Sequence, residues 1–299
     1  MIKNLDIIKN KNYFLGFSLL LVVASILCVV VFGLKLGIDL EGGTQWQVMI
    51  QKSDVTEDGI QSVLKQGSEK TEVLVKKADD GSFLVRTHTM SNEEHQTSLK
   101  ALETAFGTIE EKNFSSIGPA IGAELKQNAM WAIVAVLLGI SLYIAWAFRK
   151  VSEPVKSWKY GVATLLSLFH DVAIPTGMLA VLGIGKGIEI DTNFIVALLV
   201  VMGFSVHDTI VVFDRIRENL IRERGKKTQL GDIINYSVRE TFARSVNTSF
   251  TLFLVLLALL LFGPASLFYF ILTILVGTIF GTYSSIFVAS PLLYLWQRR

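Results

Sequence analysis

Long apolar runs dominate the chain, and between the first two of them the periodicity changes. Six runs are long enough to cross about 30 Å of hydrocarbon at about 1.5 Å per residue. They are Tyr13 to Gly33, about Ala129 to Phe148, Tyr160 to Leu182, Asn193 to Phe213, Phe242 to Phe262, and Leu267 to Trp296. The last is longer than a perpendicular span needs, so it is expected to tilt or to extend beyond the bilayer. Lys3, Lys9 and Lys11 ahead of the first run imitate a secretory signal. That run is too long for one and ends in Val31-Phe32-Gly33-Leu34-Lys35 without a small-x-small cleavage site, so it reads as an uncleaved span.

From 34 to 128 the apolar positions follow strand and short-helix periods. Trp46, Val48 and Ile50 alternate between Thr44 and Gln51, the mark of a half-buried strand. Thr56 reads as the N-cap of a helix with Ile60, Val63 and Leu64 on one face and Gly67 at its end. Thr71 to Lys77 and Ser82 to His88 are β-rich and separated by Asp79-Asp80-Gly81, a hairpin turn signal. Ser91 and Glu94 form a capping box for a second helix with Leu99, Leu102 and Phe106 as its stripe, and a last strand is expected near Thr108 to Phe114. The order is βαββαβ, the ferredoxin-like arrangement. The predicted architecture is an α-helical polytopic membrane protein carrying one extracytoplasmic α+β domain. Its parts are residues 1–33 (N-terminus and first span), 34–128 (ferredoxin-like domain) and 129–299 (the remaining five spans and the C-terminus).

Composition agrees with the membrane class: 51% hydrophobic residues, only 18% charged, and a mean hydropathy of +0.50 over 299 residues. Cys28, the single cysteine, cannot form an internal disulfide and reads as a small apolar side chain in the bilayer. Charge sets the orientation. Lys and Arg concentrate in the N-terminus, in the second connection (Arg149, Lys150, Lys156, Lys159), in the fourth connection (Arg215, Arg217, Arg222, Arg224, Lys226, Lys227, Arg239) and in the tail (Arg298, Arg299). Short basic loops stay in the cytoplasm, so both termini are expected there. Residues 34–128 carry 10 basic and 15 acidic side chains, and the remainder 18 and 11, which makes the outer part the acidic one.

Ionisable residues inside spans cost about 2.5–3.5 kcal/mol at the centre of the bilayer and usually face a bundle interior. Here they form a set. The third span holds His170 and Asp171, with Pro175 four residues on, where a kink is expected. The fourth holds His207 and Asp208. Neighbouring residues on a helix point about 100° apart, so each pair can aim only one member directly inward. Ser205, three residues before Asp208, favours that aspartate as the inward member. The fifth span carries a polar stripe of Thr241, Arg244, Ser245, Thr248 and Thr251, which makes Arg244 the expected cation for Asp208. In the sixth, Thr273, Gly277, Gly281 and Ser285 recur every four residues, a surface that lets helix backbones approach closely.

Three chemistries fit this set: a proton-coupled machine, an intramembrane aspartyl protease with Asp171 and Asp208 as its dyad, and a transporter using the His and Asp pairs as cation or metal ligands. The protease reading lacks a Gly-x-Gly-Asp motif, and the metal reading must contend with the divergence within each pair. Gly183-Ile184-Gly185-Lys186-Gly187 lacks the Walker spacing and its Ser or Thr, so no nucleotide site is expected. Nor is a nucleic-acid partner.

Five further segments match one known family: Gly37-Ile38-Asp39-Leu40-Glu41-Gly42-Gly43-Thr44, Gly118-Pro119 with Gly122-Ala123-Glu124-Leu125, His170-Asp171-Val172, the run from Asp208 through Phe213-Asp214-Arg215 to Asn219, and Gly281-Thr282-Tyr283-Ser284-Ser285-Ile286. Together they resemble the SecF branch of the SecD/SecF family over nearly the whole chain. The resemblance implies a half of an RND-type membrane assembly in the bacterial plasma membrane, with a SecD partner supplying the other six spans. It further implies proton-driven assistance to an exported unfolded polypeptide after the SecYEG channel and SecA, by a subunit that is not an enzyme and carries no cofactor and no resident metal. Asp208 and Arg244 match the family's proton-conduction residues, and Asp171, with a less defined role, its third-span aspartate. His170 and His207 join the candidate proton pathway, and Asp39, Gly42 and Gly43 form the motif after the first span. Two departures stand out: His207 where the family commonly has Asn, and Leu40-Glu41 where it commonly has Phe-Thr.

Overall fold

A computed structural model describes residues 6–52, 54–65, 73–78, 80–149 and 155–298. The chain divides into two compact units, residues 36–130 and the remainder, 1–35 with 131–299. In chain order the first membrane helix, α1 (Lys11–Phe32), is followed by a single turn, α2 (Ile38–Glu41). Then come β1 (Gly43–Ile50), α3 (Glu57–Lys65), β2 (Leu74–Lys77), β3 (Phe83–Thr87), α4 (Asn92–Phe106) and β4 (Ile109–Ile117).

The four strands form one antiparallel sheet in the order β2-β3-β1-β4, the ferredoxin-like order expected from βαββαβ. Trp46, Val48 and Ile50 all point into the core, where they meet Ile60 of α3, Val85 of β3 and Leu102 of α4. Burying these side chains supplies most of the favourable free energy of a small α+β unit. The start signals act as read. The Gly59 N–H donates to Thr56 Oγ1 at 3.2 Å, and Ser91 and Glu94 close a reciprocal capping box. β4 runs past the expected Phe114 to Ile117 and is bulged opposite Gln47 and Val48. Gly67, Thr71 and Asp79 lie outside the described residues, as do Lys3, Lys150 and Arg299 of the charge pattern.

The other unit is helical: α1, α5 (Pro119–Ala147) from Trp131 onward, α6 (Ser157–Lys186), α7 (Thr192–Arg222), α8 (Leu230–Phe262), α9 (Phe268–Ser284) and α10 (Ser290–Arg298). A π-helical turn, Ser285–Ala289, joins α9 to α10, so the last two helices make one span. Six helical stretches are long and apolar enough to cross a membrane. Half of the apolar windows of α6 and α7 is buried within the unit, against 6% for α1 and α5, so α6, α7 and the last span form its centre. α6 continues as one helix through Pro175.

The small-residue surface of α9 packs on α7. A Cβ on Gly277 would lie 2.3 Å from Val201 Cγ2, and one on Gly281 would lie 3.1 Å from Ser205 Cβ. Gly177 of α6 has the same relation to α1, its Cβ position being 2.6 Å from Ser25 Cα. Glycine at these points lets backbones meet where a methyl would hold them apart.

Candidate functional site

At the centre of the helical unit, α6 and α7 each bury an aspartate, and the last span reaches both. Asp171 is fully buried and Asp208 nearly so. Asp171 is held on both oxygens: His170 Nδ1 donates to Oδ1 at 2.8 Å, while Ser284 Oγ (2.8 Å) and Ser205 Oγ donate to Oδ2. Ser167 Oγ extends this network to Ser284 Oγ at 2.9 Å. Asp208 Oδ2 accepts from Ser285 Oγ. Ser245 of α8 is also buried and lies beside the same carboxylate.

The sequence places Ser284 and Ser285 next to each other, and a helix points them about 100° apart. This divergence lets one span address two neighbours, Ser284 turning to α6 and Ser285 to α7. The π-helical turn begins at Ser285. Such turns are rare, and they concentrate where a helix has a task beyond packing. Each serine hydroxyl also lies within hydrogen-bonding distance of its own helix: Ser284 Oγ is 3.1 Å from Gly281 O, and Ser285 Oγ is 3.0 Å from Thr282 O.

The other expected residues separate into inner and outer sets. His170 is buried, stacks on Tyr283 with ring centroids 6.1 Å apart, and keeps Nε2 without a partner. His207 and Arg244 are exposed on the surfaces of α7 and α8. Among the described residues, therefore, no ion pair joins Arg244 to Asp208, contrary to the expectation from the sequence. The polar stripe of α8 is divided in the same way: Thr241 and Ser245 turn inward, and Arg244, Thr248 and Thr251 outward. Ser205 serves Asp171 rather than the aspartate on its own helix. No hydrogen bond joins the two carboxylates, as a shared-proton dyad would require, and among the described residues no three His, Cys, Asp or Glu side chains converge as metal ligands.

The motif after the first span is a backbone device. Gly42 ends α2 at φ +82°, and Gly43 opens β1 at φ +123°, conformations that a side chain strains. A Cβ on Gly42 would lie 2.8 Å from Pro119 Cα, and one on Gly43 2.9 Å from Thr87 O. Gly122 returns the relation, its Cβ position being 2.6 Å from Gly42 N. Asp39 sits half-buried in α2.

The family described as protein export membrane protein SecD/SecF, C-terminal, matches residues 97–299, and the SecD/SecF GG motif matches residues 29–54. The chain belongs to the SecD/SecF family. Among its relatives, the protein translocase subunit SecF of Thermobaculum terrenum is 41% identical over 99% of this chain and 95% of its own length. That of Sebaldella termitidis is 36% identical over 99% and 92%. The crystal structure of SecDF from Thermus thermophilus, described as a translocon-associated membrane protein, superposes with a TM-score of 0.81 at 33% identity. It covers all of this chain, which spans 40% of that one. The paired glycines of the SecD/SecF motif are Gly42 and Gly43, and the C-terminal match contains both aspartates and all four serines of the central network. This SecD/SecF member is thus a multi-pass membrane subunit of the protein export machinery.

Proposed function

We propose that the chain is the SecF-type half of a SecD–SecF assembly that uses the proton gradient to assist polypeptides across the bacterial plasma membrane. Both termini lie in the cytoplasm and the α+β unit on the outer side. The observation that carries the coupling is the pair of buried aspartates linked through consecutive serines at a π-helical turn.

A hydroxyl has one proton. When Asp208 is ionised, the Ser285 hydroxyl donates its hydrogen bond to the carboxylate and makes none to Thr282 O. When Asp208 takes up a proton, the carboxylic acid can donate to Ser285 Oγ, and the serine proton turns to Thr282 O. Ser284 stands in the same relation to Asp171 and Gly281 O. Proton uptake therefore changes hydrogen bonding inside the last span at its π-helical turn, and the two arrangements supply two shapes. Asp208 is the primary proton carrier, and Asp171 with His170 the second.

His207 and Arg244 fit the same reading from outside. A histidine and a guanidinium facing lipid are costly, so a SecD-type partner covers this side of α7 and α8, where Arg244 can act on the carriers across the interface. The SecYEG channel and SecA deliver the chain being exported. Asp208→Asn tests the proposal: the variant should insert and copurify with SecD, yet lose gradient-dependent stimulation of export into membrane vesicles. Stimulation equal to wild type would overturn it.

A further inference from the structure

The seam between α7 and α9 repeats one contact on successive turns, with different chemistry at each. Gly277 faces Val201, and four residues on in both helices Gly281 faces Ser205. The first neighbour is apolar. The second carries a hydroxyl that donates to Asp171 Oδ2 on α6. A Cβ on Gly281 would lie 3.1 Å from Ser205 Cβ, 3.5 Å from its Oγ and 3.6 Å from its Cα, so a methyl there presses on the donor residue as a whole.

Gly281 meets the other donor as well. Its carbonyl is 3.1 Å from Ser284 Oγ, which donates to the same Asp171 oxygen at 2.8 Å, and Ser167 Oγ joins that serine at 2.9 Å. Residues three apart share a helix face, so this glycine offers its bare side to Ser205 and its carbonyl to Ser284. The two serine donors to Asp171 Oδ2, one from α7 and one from the last span, thus converge on one glycine. Ser205 has little room to yield. It is buried, its Cβ is fixed to the α7 backbone, and its hydroxyl is engaged across to α6. A methyl on Gly281 is therefore relieved only by a small shift of α9 against α7. Hydrogen bonds weaken steeply once they are misaligned, so a displacement that apolar packing tolerates still costs the carboxylate a donor.

We propose that Gly281 is a positioning residue for Asp171: its missing side chain lets Ser205 and Ser284 reach the carboxylate together from two helices. The inference rests on the proton-coupled reading and deepens it, because it gives one glycine of the packing surface a role at a carrier that Gly277 does not share.

The test compares Gly281→Ala with Gly231→Ala in the full chain with its SecD partner in vesicles, each variant first shown to insert and to copurify with SecD. A Cβ on Gly231 would lie 3.3 Å from Ile8 Cγ2 and 3.4 Å from Tyr294 Cε2, a similar crowding at the start of α8, about 21 Å along that helix from Ser245. The two variants should melt alike. Gradient-stimulated export should fall about tenfold in Gly281→Ala, the weight of one hydrogen bond to a carboxylate, and stay near wild type in Gly231→Ala. Ser205→Ala removes the same donor without adding an atom and should lose a similar share. The Gly281→Ala/Ser205→Ala double variant should then export about as Ser205→Ala does, because both changes act on one bond. Wild-type export in Gly281→Ala or in Ser205→Ala, equal losses in Gly281→Ala and Gly231→Ala, or a double variant that multiplies the two single losses overturns the proposal. Asp208→Asn in the same vesicles separates the levels: if it loses stimulation while Gly281→Ala keeps it, this inference alone fails, and if it keeps stimulation the proton-coupled reading fails first.

Discussion

Gly277→Ala probes the packing that brings the last span against α7. The added methyl would sit 2.3 and 2.6 Å from the two γ-carbons of Val201 and 3.0 Å from its Cβ, all far inside contact distance. Val201 is fully buried, and a β-branched side chain on a helix has one strongly preferred rotamer, so it cannot turn aside. The helices must separate instead, and overpacking of this kind costs about 1–3 kcal/mol. For a unit of this size each kcal/mol corresponds to about 2–4 °C, so the purified variant should melt about 2–12 °C below wild type. Val201→Ala removes both clashing methyls, so the Gly277→Ala/Val201→Ala double variant should melt above Gly277→Ala alone despite its own lost contacts. Thermal unfolding of the four proteins followed by intrinsic fluorescence measures the coupling. A Gly277→Ala variant as stable as wild type, or a double variant whose loss is the plain sum of the singles, refutes close packing at this point.

Three other outcomes are expected. Ser285→Ala removes a hydrogen bond to a buried carboxylate, an interaction of about 1.5–3 kcal/mol, and should depress gradient-stimulated export, while Ser285→Thr, which keeps the hydroxyl, should retain most of it; vesicle export assays decide. Asn235→Ala withdraws the acceptor that holds the Ile7 and Ile8 N–H groups at 3.0 and 3.1 Å, so amide exchange of residues 6–9 should quicken by tenfold or more while the α+β unit is unaffected. Bonds from the Ser82 side chain and backbone, and then from Lys112, hold the Asp80 carboxyl well below its usual range. Because the folded value is the lower one, this support is complete above the ordinary aspartate value of about 3.9 and drains away as pH falls below it. Exchange protection of the β2–β3 turn, corrected for intrinsic rates, should therefore hold from pH 8 to 5 and fall in stronger acid, and Asp80→Asn should abolish that dependence.

The α+β unit was legible almost residue by residue. Period-2 alternation at Trp46, Val48 and Ile50 and the caps at Thr56 and Ser91 are local rules, and the sheet order follows from βαββαβ. The spans were legible because length and hydropathy suffice, and Gly277 and Gly281 because small residues at every fourth position have one main use. The central network was only half legible. A carboxylate in an apolar run announces itself, but a serine there is cheap, because its hydroxyl can always bond the carbonyl of the preceding turn. Ser167 was therefore silent, Ser205 was read for the aspartate on its own helix and Ser285 only as a packing residue, although adjacent serines beside a small-residue stripe were a signal that two neighbours are addressed. Arg244 was misplaced for a related reason. Spacing shows which residues share a face, but not which half of a broad polar stripe turns to the core, and α8 turns Thr241 and Ser245 inward instead.

The two His-Asp pairs show how much the surroundings of a helix decide. Both have the same 100° divergence, yet α6 buries His170 and Asp171 together whereas α7 buries only Asp208. α6 has packed neighbours on several sides, among them α1, α7, α9 and α10, so either direction from it leads into protein. His170 can then close onto its own aspartate and stack on Tyr283. Among the described residues α7 packs chiefly on α6, α8, α9 and the π-helical turn, and the residue before Asp208 lies on its exposed side. The place where the family commonly carries asparagine is thus a surface position of the SecF-type half, and a histidine there changes what α7 presents to its surroundings while the contacts of Asp208 with Ser285 stay intact. In the proton-coupled reading proposed above, the inner network would hold the two carboxylates for proton uptake, and the exposed His207 and Arg244 would be the polar groups that a covering partner meets.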